Sequence, residues 1–163
     1  MSEIIKNTLS PYEQQILNKY YRLCLDCNKT KTSFSWCLNC NSKLFKQNFD
    51  KWTSGNKLID NFIQDAQLKA KNHEEIIEWI PYDRFENLQH LANGGFGTVY
   101  KAIWLDGYIE KWDKEKKQWK RSFDVHKDED YENACKKHRQ HVVLKCLNNP
   151  SNANKDFLNE VNK

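Results

Sequence analysis

A glycine-rich stretch between two strand-like runs constrains the fold of this chain more than any other feature. Residues 91–104 read LANGGFGTVYKAIW. After the last glycine the residues are β-branched or aromatic and alternate roughly by two, which predicts a strand. A dinucleotide-binding fingerprint would instead open a helix at this point. The stretch therefore predicts two strands joined by a glycine turn, where a backbone can approach phosphate groups closely. Asn93-Gly94 alone is also a common hairpin turn, so the glycines by themselves are weak evidence.

Two later segments extend this pattern. Residues 142–145, VVLK, predict a further strand ending in a lysine, and residues 157–161, FLNEV, predict a short helix that carries a glutamate. In this order the segments resemble the small lobe of the protein-kinase family over residues 81–163. The wording GGFGTVYKA is most similar to the tyrosine-kinase-like branch. Together with a cysteine-pair segment ahead of it, the chain resembles a kinase group that is expanded in some fungi.

The resemblance implies an ATP site. Lys145 would bind the α- and β-phosphates and pair with Glu160, and these two residues are the implied catalytic ones. The family's G-x-G-x-x-G positions map onto Ala92, Gly94 and Gly97, so alanine replaces the first glycine. The implied ATP-binding residues are Leu91, Ala92, Asn93, Gly94, Gly95, Phe96, Gly97, Val99, Val143 and Lys145. Phe96 would form the loop tip, Val99 would cover the adenine, and Val143 stands where the family usually has alanine.

The resemblance also implies the fold and the activity. The expected fold class is α+β, with an antiparallel kinase small-lobe sheet of about five strands plus one helix, preceded by helices and a small zinc-ribbon-like module. The implied function is ATP-dependent phosphoryl transfer to protein hydroxyls, on serine or threonine. The alternative is a non-catalytic, zinc-containing interaction or scaffold protein with a degenerate half-kinase. The expected partners are accordingly ATP and a protein substrate or scaffold partner.

Catalysis needs parts that the sequence lacks. The family's D-F-G segment and H-R-D loop supply the magnesium ligands and the catalytic base. No D-F-G occurs, and His138-Arg139-Gln140 precedes the lysine strand and carries glutamine in place of the base. The isolated chain is therefore expected to be inactive as a kinase, with the ligands for Mg²⁺ absent from it. We read it as a truncated domain, a fragment or one half of a split domain.

Two cysteine pairs predict a metal site. Cys24 and Cys27 are followed after nine residues by Cys37 and Cys40. Two C-x-x-C units in a reducing compartment favour tetrahedral zinc, and four sulfurs leave no open position for a substrate, so the role would be structural. The alternatives are unrelated free cysteines or a redox pair. The intervening Thr30, Thr32, Phe34 and Trp36 suit strands of a small hairpin.

The chain divides into three predicted regions. Residues 1–52 hold a helix that starts at the Ser10–Glu13 capping box, is expected to reach Leu23, and is followed by the cysteine module. Residues 53–80 hold a turn and a connecting helix from Lys57. Residues 81–163 form the kinase-like part, with residues 106–140 inserted because the interval from Gly94 to Lys145 is longer than the family usually has. Within the insertion, Asp106-Gly107 predicts a turn between strands, and two strands are expected at residues 108–112 and 119–123.

Composition sets limits on partners and location. The 26 basic and 22 acidic residues leave a net charge of +4, which does not call for nucleic acid or an anionic membrane as partner. Aromatic residues near the cysteines are expected to build a small core, and stacking on bases is the weaker alternative. No apolar run approaches a membrane span, and the N-terminus has no signal-peptide pattern. The chain is expected to be intracellular and cytoplasmic.

Overall fold

The computed structural model describes residues 10–13, 15–16, 22–95, 97–123 and 140–147. The fold class is α+β. The chain forms two compact units, of which the first comprises residues 1–79 and 111–117 and the second comprises residues 80–110 and 118–163.

The first unit is built on two helices that pack against each other. Helix α1 spans Leu38–Lys46 and helix α2 spans Lys57–Lys69. Asn56 caps α2, since its side-chain oxygen accepts from the backbone N–H of Leu58 at 2.9 Å. Gly55 precedes it with φ at +80°, a conformation that glycine adopts without strain. The predicted turn and the helix predicted from Lys57 are therefore both present.

Trp36 forms the centre of this unit. Its side chain is 1% exposed, and its ring lies 6.3 Å from the ring of Phe45 on α1. Its indole N–H donates to the carbonyl oxygen of Ala70, the residue that ends α2, at 2.8 Å. A large aromatic side chain thus packs on one helix and bonds the end of the other, with its only polar atom satisfied.

The N-terminal helix begins as predicted. Glu13 Oε2 accepts from the backbone N–H of Ser10 at 2.8 Å, and Ser10 Oγ accepts from the N–H of Glu13 at 3.3 Å, which is the reciprocal capping box. Residues 11–13 and 15–16 are helical. The helix was expected to run to about Leu23; Arg22, with φ at +49°, and Leu23, in a β-bridge with Thr30, lie beyond it, and residues 17–21 are outside the described residues.

The segment between the cysteine pairs was predicted as strands, and this is wrong. In this segment Thr30 forms an isolated bridge with Leu23, which precedes the first pair, and Ser33 forms one with Trp36 around a turn. Nine residues must turn the chain back and bring two cysteine pairs together, so no length remains for a continuous ladder. Two 3₁₀ turns, Phe49–Lys51 and Tyr82–Arg84, complete the short elements.

The second unit contains an antiparallel sheet of three strands. Strand β1 spans Phe85–Gly94, β2 spans Gly97–Trp104 and β5 spans Gln140–Leu147, in the order β1-β2-β5. Ala102, Ile103 and Trp104 of β2 are buried. Strand β1 is irregular, with Asn87 at φ +53° and register shifts between Glu86 and Gln89 and between His90 and Ala92.

The two predicted strands of the insertion are present but do not join that sheet. Strand β3 spans Tyr108–Asp113 and β4 spans Gln118–Ser122, and among the described strands they pair only with each other. The sequence predicted one sheet of about five strands, whereas the described residues form one sheet of three strands and one of two. Strand β2, which β3 follows along the chain, already pairs on both edges with β1 and β5, so β3 cannot pair with it. The turn at Gly107, with φ at +68°, therefore leads into a separate hairpin.

Within the described residues, no helix is long and apolar enough to cross a membrane.

Candidate metal centre and candidate phosphate loop

The first cysteine pair lies on a tight turn. The N–H of Asn28 donates to the carbonyl of Cys24 and the N–H of Cys24 donates to the carbonyl of Lys29, both at 2.8 Å. Asn28 closes the turn with φ at +56°, a conformation that asparagine tolerates better than most residues. The backbone N–H of Lys29 also bonds the sulfur of Cys27. The turn thus presents both sulfurs on one side, with a backbone donor already directed at one of them.

The second pair lies at the start of α1. Cys37 is the residue before the helix, and its carbonyl accepts from the N–H groups of Cys40 and Asn41 at 3.1 and 2.9 Å. The N–H of Cys40 also bonds the sulfur of Cys37. One helical turn brings residues i and i+3 to the same side, so the start of α1 places Cys37 and Cys40 next to each other. The sequence did not predict this helix.

The four sulfurs converge in one cluster. Their Sγ atoms all lie within 4.8 Å of one another. The distance is 3.7 Å between Cys24 and Cys40 and 3.5 Å between Cys27 and Cys37. Disulfide sulfurs would lie about 2.05 Å apart. Four sulfurs at the usual zinc distance of about 2.3 Å form a tetrahedron with edges of about 3.8 Å, which agrees with both pairs. The cluster could therefore hold a structural metal such as zinc.

The pKa values of the thiols are unequal. Burial alone would raise the pKa of Cys27, but bonds from the Lys29 N–H and from the neighbouring thiols outweigh it and bring the pKa to about 7. Burial raises the pKa of Cys37, and burial together with the adjacent sulfurs raises that of Cys40. Without a cation, four adjacent thiols cannot all ionise, because each thiolate raises the pKa of the next thiol. A bound divalent cation would lower these pKa values, because it attracts all four thiolates.

A cavity of about 170 Å³ borders the cluster. Sulfur-bearing residues of both turns line it, together with Leu25, Leu44 and Trp112. Asp26, between the first two cysteines, also lines it and binds Lys114 from the turn between β3 and β4. Asp26 was not singled out from the sequence, because a partner 88 residues away leaves no local pattern.

The glycine stretch forms the predicted strand–turn–strand. Gly94 pairs with Gly97 at the end of the β1–β2 ladder, and Gly95 lies in the turn. Ala92 is an extended residue of β1 and has no positive φ. Alanine in place of the family's first glycine is therefore compatible with this backbone. Phe96 lies outside the described residues.

The glycines of the turn differ in why they are needed. At Gly97 an added Cβ would strike the backbone carbonyl of Cys146 on β5, so the close approach of two strands requires glycine. At Gly95 a Cβ would meet nothing within 4 Å, and at Gly94 its nearest neighbour would be at 3.5 Å. Among the described residues, no contact therefore requires glycine at 94 or 95.

Three strands align the remaining candidate residues. Val99 stands opposite Ala92 on one side and opposite Lys145 on the other, and Lys101 stands opposite Val143. Directly opposed residues lie on the same face of a sheet. Val99, Val143 and Lys145 therefore share one face, where Val143 is 66% exposed and Lys145 is exposed. Leu91, at the register shift of β1, is 53% exposed.

Part of the predicted site lies outside the described residues. This applies to Glu160 and the helix around it, to residues 124–139 of the insertion, and to Phe96. The implied pairing of Lys145 with Glu160 therefore stays a prediction.

No protein-family model, no curated protein and no solved structure matches this chain.

Proposed function

We propose that residues 81–163 are the ATP-binding small lobe of a protein-kinase-like domain, and that Cys24, Cys27, Cys37 and Cys40 hold a structural zinc ion in a ribbon-like module. The chain would contribute the phosphate-covering loop and the lysine of an enzyme that transfers phosphoryl groups to protein hydroxyls.

The observation that carries the nucleotide proposal is the pairing of Val99 with Lys145. Lys145 of β5 thereby lies beside Val99 of β2, the strand that follows the glycine turn, although the two residues are far apart in the chain. ATP needs an apolar surface for the adenine and a cation for the phosphates. Val99 and Val143 are suited to the first role and Lys145 to the second, and all three share a face.

The glycines support the same proposal. Backbone N–H groups bind phosphate only where no side chain intervenes. No contact with the part of the chain that the structure describes requires glycine at 94 or 95. Phosphate binding supplies a reason for glycine at both positions.

Nucleotide titration tests the proposal. We expect saturable binding of Mg²⁺-ATP to the full chain, weakened about tenfold or more in Lys145→Ala, because a charge-assisted bond to phosphate is lost. Lys101→Ala is the matched control, because Lys101 is an exposed lysine on the same face of the sheet as Lys145. We expect this variant to bind Mg²⁺-ATP nearly as the parent does. Equal weakening in both variants would indicate non-specific charge attraction and would count against the site.

The cysteine cluster favours a second function. Four sulfur ligands leave a metal without an open coordination position, so the module is suited to holding a fold together and presenting a surface. Phe34, within this module, is 95% exposed. A chain that binds zinc but no nucleotide would accordingly be an interaction or scaffold protein, and the titration above distinguishes the two functions.

A further inference from the structure

The loop between the first two cysteines makes a contact that metal ligation does not require. Asp26 lies between Cys24 and Cys27, and both of its carboxylate oxygens bind the ammonium of Lys114, at 2.7 Å for Oδ1 and 2.6 Å for Oδ2. Its Oδ2 atom also lies 4.0 Å from the sulfur of Cys24. One carboxylate thus joins the metal-binding turn to the tip of the β3–β4 hairpin, residues 111–117, which belongs to the same compact unit.

The hairpin tip has a defined shape of its own. The Oδ1 atom of Asp113 accepts from the N–H groups of Glu115 and Lys116, each at 3.0 Å. Lys117 closes the turn with φ at +51°. The turn therefore presents Lys114 at a fixed place, and the ion pair does not have to order a flexible segment.

The ion pair alone would hold the tip weakly. The side chains of Lys114 and Asp26 are 65% and 50% exposed, and exposed pairs contribute little. Trp112 of the same tip also lines the cavity that Cys24, Cys37 and Cys40 line. The tip thus faces the two cysteine turns through a charged residue and an aromatic one.

We infer that residues 111–117 are a working part of the metal module, fastened through Asp26 and Trp112, so that occupancy of the four-cysteine site determines whether the hairpin tip is held. Without a cation, four thiols at these distances lose their common partner, and the turn that positions Asp26 loosens. The inference rests on the proposed metal site.

Hydrogen exchange on the zinc-loaded full chain, with and without a chelator, tests it. We expect chelation to speed amide exchange in residues 22–46 and, at least tenfold, in residues 111–117, while the β1–β2 ladder changes little. Faster exchange in 22–46 with an unchanged tip would overturn this inference and leave the metal site standing. No change in either segment, with no zinc bound, would overturn the metal site itself.

Charge reversal provides an independent test. In zinc-loaded protein we expect Lys114→Glu to speed exchange in the tip about two- to fivefold, the range for an exposed ion pair. The double variant Asp26→Lys, Lys114→Asp should restore slow exchange, provided that its zinc content equals that of the parent. Lys116→Glu, in the same turn but without a contact to Asp26, is the matched control and should exchange as the parent does. Equal exchange in Lys114→Glu and Lys116→Glu would overturn the inference.

Discussion

The indole N–H of Trp36 donates to the carbonyl of Ala70 from a position that is 1% exposed, and Ala70 itself is 2% exposed. This bond joins the residue immediately before Cys37 to the end of α2. The second cysteine turn is therefore held against the connecting helix by a buried, satisfied polar contact.

Trp36→Phe tests the value of this bond. Phenylalanine retains most of the apolar contact but leaves the buried carbonyl of Ala70 without its donor, so we expect the first unit to lose about 1–3 kcal/mol of unfolding free energy. Denaturant unfolding of the zinc-loaded chain measures the loss. Trp79→Phe is the control, because Trp79 is 40% exposed, and it should change stability by no more than about 0.5 kcal/mol. Equal effects of the two changes would contradict the assigned role.

The metal centre predicts a defined stoichiometry. We expect one zinc ion per chain by elemental analysis, and a loss of at least about 100-fold in zinc affinity for Cys27→Ser, since removing a ligand should cost no less than removing an outer contact. Cys146→Ser is the control, because Cys146 is exposed on β5 and stands outside the cluster. Unchanged zinc affinity in Cys27→Ser would argue against four-sulfur ligation.

The turn glycines predict opposite responses to alanine. Gly97→Ala places a Cβ against the carbonyl of Cys146, so we expect a loss of about 1–3 kcal/mol as β2 and β5 separate. Gly95→Ala meets nothing within 4 Å and should leave stability within about 0.5 kcal/mol. If the nucleotide proposal is right, the stable Gly95→Ala protein should nevertheless bind Mg²⁺-ATP more weakly. Unchanged affinity in that variant would count against phosphate contact at this turn.

Arg84 and Asp106 predict a pH dependence. Arg84 Nε donates to Asp106 Oδ2 at 2.9 Å, and the hydrogen bonds from Arg84 lower the pKa of Asp106 although partial burial opposes this. A carboxylate with a lowered folded pKa contributes stability that is present above its unfolded pKa, about 3.9, and is lost as pH falls through the lower folded value. Asp106→Asn should therefore be less stable than the parent at neutral pH, and the difference should shrink as pH falls below about 4. Acid unfolding of both proteins in the absence of zinc measures this. A difference that stays constant over that range would contradict the ionic role of the pair.

Short-range patterns in the sequence predicted several elements correctly. The Ser10–Glu13 capping box, the turn and cap before Lys57, and the strands on either side of the glycine turn all depend on residues within a few positions of one another. The cysteine spacing likewise predicted that four sulfurs would meet, because two C-x-x-C turns can each present a pair.

Other features were decided only by the tertiary structure. The pairing of β3 with β4 apart from the main sheet and the contact of Asp26 with Lys114 were not predicted. Local amino-acid preference does not specify which strands pair, nor which charge a carboxylate meets 88 residues along the chain. Local sequence patterns located several turns and marked the residues that are candidates for a metal site or a nucleotide site. The tertiary structure decided which of them share a face, because that depends on strand register and packing rather than on the order of residues.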